Sequence, residues 1–419
     1  MATERRKDNK NRILKDGEYQ RSNGTYEYKW SDRRGKRHSV YAPTLAELRK
    51  KEDDVKRDVL DGIRISEKNL TINDLYELWI KVKRGLKKNT FENYKYIYTQ
   101  FVQPDFGRTR ISNLKRTDVR AFYNTLVDER HLMISTVDSI HNVLHQVLEM
   151  AVDDDYLRYN PSDKALKELK RAHNTDSKKH RALTLEEQEL FEDYLLTNEQ
   201  KRRWYHIFTV MLWTGMRVGE IVGLTWGDVN FVEDTISVNH TAVYYADRSS
   251  GKTVCTRDVH FPKTKTSTRE IPMLPKVKKA LLDLKELQKK QGIKCDFSID
   301  GYTDFIFLNR FRHLYEQGSL NKALKRIIRD CNYEQLDKNE GKKGILLLPK
   351  FSNHSLRHTF TTRMCEAGVN IKAMQAVLGH ADAETTLDIY AEATKELKTK
   401  ELISFDEYFN KKKAAQIGV

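Results

Sequence analysis

The chain has 419 residues, with 75 Lys+Arg against 60 Asp+Glu for a net charge of +15, a sequence pI near 9.3 and a mean hydropathy of −0.71. That length fits two or three domains, and the surplus of positive charge favours a polyanionic partner, with nucleic acid first among them. No stretch reaches the apolar length of a membrane span, the start Met1-Ala-Thr-Glu-Arg-Arg is polar where a leader would be apolar, and Cys255, Cys295, Cys331 and Cys365 form no CxxC pair, so the expectation is a soluble cytoplasmic protein with no membrane partner, no zinc site and no disulfide framework.

Residues 1–40 hold 12 basic against 6 acidic residues. Aromatic and polar residues alternate through Gly17–Arg21, Gly24–Trp30 and Lys36–Tyr41, and the breaks at Asn23-Gly24 and Arg34-Gly35 predict a three-stranded antiparallel sheet. Thr44 then caps a charged helix from Leu45 to about Leu60. Arg21, Lys29, Arg33, Arg34 and Arg37 among the tyrosines suit a strand face that enters a DNA groove, since a β-ribbon fits the major groove and basic side chains hold phosphate.

Four helices are expected next. The first starts where Thr71 and Asn73 offer N-cap chemistry, and the others run over Lys88–Phe101, Lys115–Glu129 and Ile134–Asp153. Lys81, Lys83, Arg84, Lys87 and Lys88 crowd the first helix–helix junction, where a phosphate backbone is within reach of them. Residues 167–181 are polar and basic and read as a hinge. Thr184, followed three residues on by Glu187, opens the third zone with a capping box.

In that zone an apolar helix, Trp204–Trp213, runs into Thr214-Gly-Met-Arg217-Val-Gly-Glu220. The glycine break lets a new helix begin with Arg217 in its first turn, where its guanidinium and backbone donors converge on an anion, and Glu220 is placed to pair with a basic neighbour. Strand-like runs at Thr235–Val243, Lys252–Arg257 and Thr268–Met273 predict a small sheet whose turn, Pro262-Lys263-Thr-Lys265-Thr-Ser, carries two lysines. His354 and Arg357, three apart, share a face of a helix start and suit two donors on one phosphate, with Leu356 and Phe360 left for the core. An amphipathic helix, Ile371–Leu378, ends at Gly379-His380, and Asp382 caps the helix that carries Tyr390.

Each string has an ordinary structural reading as a cap, a surface ion pair or a core aromatic. Their order is what carries meaning: Arg, Lys, HxxR, Gly-His and Tyr within one zone make a cationic phosphate clamp beside a hydroxyl nucleophile. That succession resembles the tyrosine recombinases, the phage-type integrases, and most of all the lambda-like integrases of phages and integrative conjugative elements, over essentially the whole chain.

The resemblance implies a multidomain, mainly α protein. It consists of a small three-stranded β arm-binding domain (1–66), a four-helix core-binding, SAM-like domain (67–166), a linker (167–181), a mixed α+β tyrosine-recombinase catalytic domain (182–405) and a C-terminal tail (406–419). It implies Arg217, Lys263, His354, Arg357 and His380 as catalytic residues and Tyr390 as nucleophile, with Lys263 preferred to Lys265 because the family's lysine usually opens this turn. The implied activity is site-specific DNA strand transfer through a 3′-phosphotyrosyl link, with no metal, ATP or other cofactor, integrating or excising a mobile element. The implied partners are double-stranded DNA with core and arm sites, a homo-tetramer on DNA, and an excisionase or DNA-bending accessory protein. A type IB topoisomerase shares this chemistry, and a non-catalytic architectural DNA-binding protein shares the charge; the separate basic sheet disfavours the first and the nucleophile beside arginines disfavours the second.

Overall fold

The computed structural model describes residues 6–31, 37–60, 69–173, 181–248, 252–261, 268–338 and 344–379. The chain divides into two compact units, Met1–Ser177 and Lys178–Val419. No helix among the described residues is long and apolar enough to cross a membrane.

The first unit opens with strands β1 (Glu18–Gln20), β2 (Tyr26–Ser31) and β3 (Arg37–Ala42), paired antiparallel in the order β1-β2-β3. Period-two alternation sends Tyr26 and Tyr28 to a small core with Leu14, Ala42 and the Leu45, Leu48 and Val55 stripe of helix α1 (Leu45–Leu60). Thr44 Oγ1 accepts from Glu47 N and starts that helix, as expected.

Helices α2 (Ile72–Val82), α3 (Lys88–Ile97), α4 (Arg116–Asp128) and α5 (Ile134–Asp153) share a second core in which Leu75, Tyr123, Leu126, Leu144 and Leu148 are fully buried. Of the two N-cap candidates for α2, Thr71 makes the capping box with Asp74. Asn73 instead accepts from the Tyr98 hydroxyl at 2.9 Å, across the core. The helix expected over 88–101 is present, but its last turn widens to a π segment, Tyr98–Val102.

The segment expected as a linker, residues 167–181, is helical in part. Its first part forms a sixth helix, α6 (Lys167–Ala172), because Leu169 is buried alongside Leu166 in the helical core while the charged residues around it face water. One apolar anchor among six residues is enough to dock a turn and a half of helix, and composition alone conceals it.

The second unit comprises α7 (Leu185–Thr197), α8 (Tyr205–Thr214), α9 (Val218–Gly223), β4 (Val229–Asn230), β5 (Thr235–Val238), β6 (Thr241–Asp247), β7 (Val254–His260), β8 (Arg269–Pro272), α10 (Pro275–Gln291), α11 (Gln317–Lys338), α12 (Asn353–Glu366) and α13 (Ile371–Leu378). Nearly every residue of α8 is buried, and it packs against α10 and α12 as the central rod of the core. The single sheet expected from the three strand-like runs is two: β4-β5-β8, and the hairpin β6-β7. The run Thr235–Val243 is split because His240 turns its ring inward and bonds the Gly223 carbonyl at 2.6 Å, which ends β5 and starts β6 in a different sheet.

Candidate active site

The site is assembled where α8 stops and α9 starts. Gly215 closes α8 in the left-handed conformation with φ +62°, and a Cβ there would lie 2.4 Å from the Phe360 ring of α12. No other residue type turns the chain so close to that ring. Across α9, Gly219 and Gly223 stand four apart, and a Cβ on either would come within 3 Å of β6 at Thr241 or Ala242. The helix therefore seats directly on the strand backbone, which fixes Arg217 and Glu220 in space.

Arg217 differs from expectation: it is the N-cap of α9, with ψ 149°, and not a first-turn residue. Its backbone N donates to Glu220 Oε2 at 2.8 Å, Nη1 donates to Glu220 Oε1 at 3.0 Å, and Nη2 donates to the Gly379 carbonyl at 3.0 Å. Its side chain is 42% exposed, so one face of the guanidinium meets solvent.

Arg357 is turned inward instead of sharing an exposed face with His354. It is 4% exposed, with Nη1 on the Gly215 carbonyl at 2.5 Å and Nη2 on the Leu378 carbonyl at 2.8 Å. Burial, reinforced by repulsion from Arg217 and Arg269 and opposed by Glu220, loosens its proton to about 9. His354 is exposed on α12, one turn before it.

Arg269, the first residue of β8, completes the set. Its Nε donates to the Val377 carbonyl at 2.6 Å, and Nη1 and Nη2 donate to Glu220 at 3.2 and 2.9 Å. Burial alone would raise the Glu220 carboxyl, but the Arg269 guanidinium, then Arg217, holds it below its ordinary range. Three arginines thus take three successive carbonyls, Val377, Leu378 and Gly379, at the C-terminal end of α13, where unpaired carbonyls and the helix dipole favour cations. Set against the single carboxylate of Glu220, they leave a surplus of positive charge prepared for an anion.

Residues 217 and 357, which sequence spacing selects, are therefore brought together. Lys263, Lys265, His380 and Tyr390 lie outside the described residues. Arg269 was missed; its signal was its position within Thr268-Arg-Glu-Ile-Pro, directly after the lysine-bearing turn.

Among the sheet candidates, Arg21, Lys29 and Arg37 lie toward the face opposite the core, with Lys29 over the Tyr19 ring (5.0 Å) and Arg21 over the Tyr41 ring (5.2 Å). Arg33 and Arg34 lie outside the described residues. At the helix junction Lys81 and Lys88 are exposed, and Lys87 occupies the N-cap position of α3 without a capping bond from its side chain. Lys83 donates to Gln146 and Arg84 to the Lys81 carbonyl. His145, Glu149 and Asp163 lie close enough to share an ion. Asn160 Nδ2 already sits between the first two, 3.1 Å from His145 Nδ1 and 2.7 Å from Glu149 Oε2, so the set reads as a fastening and not as a metal centre.

A family model described as the phage integrase family matches residues 181–396, which contain this whole arginine set. The chain belongs to the phage integrase family. Two further models match this integrase, the DNA binding domain of Tn916 integrase over residues 2–72 and the N-terminal SAM-like domain of phage integrases over 71–127. It is 31% identical over 405 residues to the transposase from transposon Tn1545 of Streptococcus pneumoniae, and 30% identical over 405 residues to the transposase from transposon Tn916 of Enterococcus faecalis, covering 94% of each chain in both cases. Among solved structures it resembles the Tn1549 transposon integrase in complex with transposon right end DNA (TM-score 0.67, 26% identity, 80% of this chain and 99% of that one). A second structure of the same protein, with circular intermediate DNA, gives TM-score 0.68 at 25% identity over the same shares. The integrase is thus a tyrosine recombinase, multidomain and mostly helical with small antiparallel sheets, and its substrate is DNA.

Proposed function

We propose that the integrase cuts and rejoins double-stranded DNA at the ends of a mobile element, with Tyr390 as nucleophile. The observation that carries this reading is the convergence of Arg217 and Arg357, 140 residues apart in sequence, on the helix end that leads into His380. The Tyr390 hydroxyl, with an ordinary pKa of about 10, needs a cationic pocket to become a nucleophile at neutral pH. It attacks the scissile phosphorus, the bond to the 5′ oxygen breaks, and a 3′-phosphotyrosyl link forms. Arg217 and Arg357 neutralise the charge that grows on the non-bridging oxygens. His380 donates to one of those oxygens, Lys263 protonates the leaving 5′ oxygen, and His354 assists the proton transfer at tyrosine. Because the link keeps the phosphodiester's energy, a 5′-hydroxyl from a partner strand reseals it without ATP.

The domain plan that accompanies this reading is an arm-binding domain over residues 1–66, a core-binding domain over 67–166, a linker over 167–181 that opens with α6, a catalytic domain over 182–405 and a tail over 406–419. Arg21, Lys29 and Arg37, with Arg33 and Arg34, grip arm DNA through the sheet face. Lys81, Lys83, Arg84, Lys87 and Lys88 meet core DNA at the junction of α2 and α3. The Tn916, Tn1545 and Tn1549 relatives support a transposon as the mobile element. Exchange between two sites calls for a homo-tetramer, an excisionase or DNA-bending protein sets direction, and the reaction takes place in the cytoplasm.

The test is a nicked suicide duplex bearing the element's own end. The integrase is expected to form a covalent adduct at Tyr390, and Tyr390→Phe to bind the same duplex without one. Absence of adduct with the wild-type chain on that duplex would defeat the proposal.

A further inference from the structure

Arg269 has no place in the chemistry just described, yet it is the most completely engaged side chain of the cluster. It is 5% exposed, and the Glu220 carboxylate that it meets is 6% exposed. Its three nitrogens all donate, one edge of the guanidinium lying bidentate on Glu220 and Nε on the Val377 carbonyl. Glu220 in turn accepts both the backbone N and Nη1 of Arg217, whose Nη2 donates to the Gly379 carbonyl. The hydrogen bonds therefore close a ring: α13 to Arg269, to Glu220, to Arg217, and back to α13 two residues further on. Gly379 belongs to this fit, since a Cβ there would lie 2.9 Å from Arg269 Nη1.

We propose that Arg269 is a positioning residue for strand transfer, which holds Glu220, and through it Arg217, in fixed register with the helix end that leads into His380. This rests on the catalytic roles given above to Arg217 and His380. With each of its three nitrogens donating to protein, Arg269 acts through its neighbours. The planar fork is what makes the hold complete, because a lysine ammonium is a point charge that can pair with the carboxylate but cannot lie bidentate on it while reaching a carbonyl on its other edge. The ring has a mechanical consequence. A guanidinium free to swing by about 1 Å loses on the order of 100-fold in rate even though its charge stays in the site.

The experiment uses the full chain and the same nicked duplex, and compares Arg269→Gln, Arg269→Lys, Glu220→Gln and the Arg269→Gln/Glu220→Gln pair. The adduct-forming rate at saturating DNA is expected to fall about 100-fold in Arg269→Gln, with partial recovery in Arg269→Lys and DNA affinity held at the wild-type value. The double variant is expected to be no slower than the slower single one. Among the described residues, the charged groups facing Glu220 are Arg217 at the N-cap of α9, Arg269 from β8 and Arg357 from α12. Loss of Arg269 leaves the burial of Glu220 less opposed, so the part of the acid limb that Glu220 contributes moves to higher pH in Arg269→Gln and is absent from the double variant.

A purely structural role would lower the folded fraction and the affinity together and leave the acid limb in place. That result, or a wild-type rate in Arg269→Gln, overturns the inference, and the folded fraction of Arg269→Lys decides the matter if Arg269→Gln does not fold. A wild-type chain that forms no adduct rejects the catalytic reading itself, whereas a wild-type adduct with an unaffected Arg269→Gln rejects only the role of Arg269.

Discussion

Replacing Glu220 by glutamine isolates the electrostatic keystone of the site, because the change keeps the shape and removes the charge. The wild-type carboxylate makes two ion pairs of unequal value. The pair with Arg217 involves a side chain 42% exposed and is worth at most about 1 kcal/mol. The pair with Arg269 is buried on both sides, at 5% and 6% exposure, and removing one partner of such a pair strands the other, at about 3–5 kcal/mol. Glutamine still offers an amide oxygen to one guanidinium, so the expected loss is about 3 kcal/mol, a fall of about 6–12 °C in the unfolding midpoint of the catalytic unit.

Calorimetry or urea unfolding at pH 7 measures the loss, and repeating it toward acid tests its origin. The native carboxyl lies below its unfolded value of 4.5. Its contribution is therefore complete above that value and is lost as pH falls through the lower native one. The gap between wild type and Glu220→Gln should narrow below pH 4.5. A midpoint shift under about 2 °C at neutral pH, or a gap that stays constant into acid, would refute the argument that the buried pair carries the energy.

Other outcomes follow from the same geometry. Gly215→Ala is expected to cost about 2–5 kcal/mol, combining a left-handed alanine with overpacking against Phe360, and to slow cleavage because the Gly215 carbonyl also anchors Arg357; unfolding and adduct assays on one preparation check both. Sulfate is expected to raise the midpoint of the wild type more than that of Arg357→Ala, since an anion relieves the crowded guanidiniums, as a thermal melt series in sulfate against chloride will show. In cleavage assays Lys263→Ala is expected to lose far more activity than Lys265→Ala, and equal activity in the first would transfer the role to the second. Replacing Arg21, Lys29 and Arg37 by alanine should weaken arm-site binding across sequences and flatten its salt dependence by a slope of about 2–3, measured by titration at several ionic strengths.

The sequence carried much of this architecture because its signals were local. The capping boxes at Thr71 and Thr184, the alternation through Tyr26 and Tyr28, and the period of α5 each depend on neighbours within a turn or two, and each element stands where its pattern placed it. What failed depended on distant partners. The split of Thr235–Val243 is decided by His240 reaching α9, and α6 by Leu169 finding a core built mostly upstream. The inward turn of Arg357 had no local sign, because its acceptors are the carbonyls of residues 215 and 378, and backbone acceptors carry no residue-type signature. Arg269 was hidden for the same reason. α10 has ordinary local punctuation, Pro275 at its start and a left-handed Gly292 after its end.

The three carbonyls that receive the arginines sit late in the chain, and this bears on its synthesis. Arg217 leaves the ribosome 162 residues before its partner at Gly379, an interval of about 8–32 s at bacterial elongation rates of roughly 5–20 residues per second. For that time Arg217 has no helix end to hold, and a nascent chain stopped before α13 carries its charge without an assembled centre. The arginine centre thus assembles only once α13 has emerged, so a chain stopped short of it has the cations without the carbonyls that gather them.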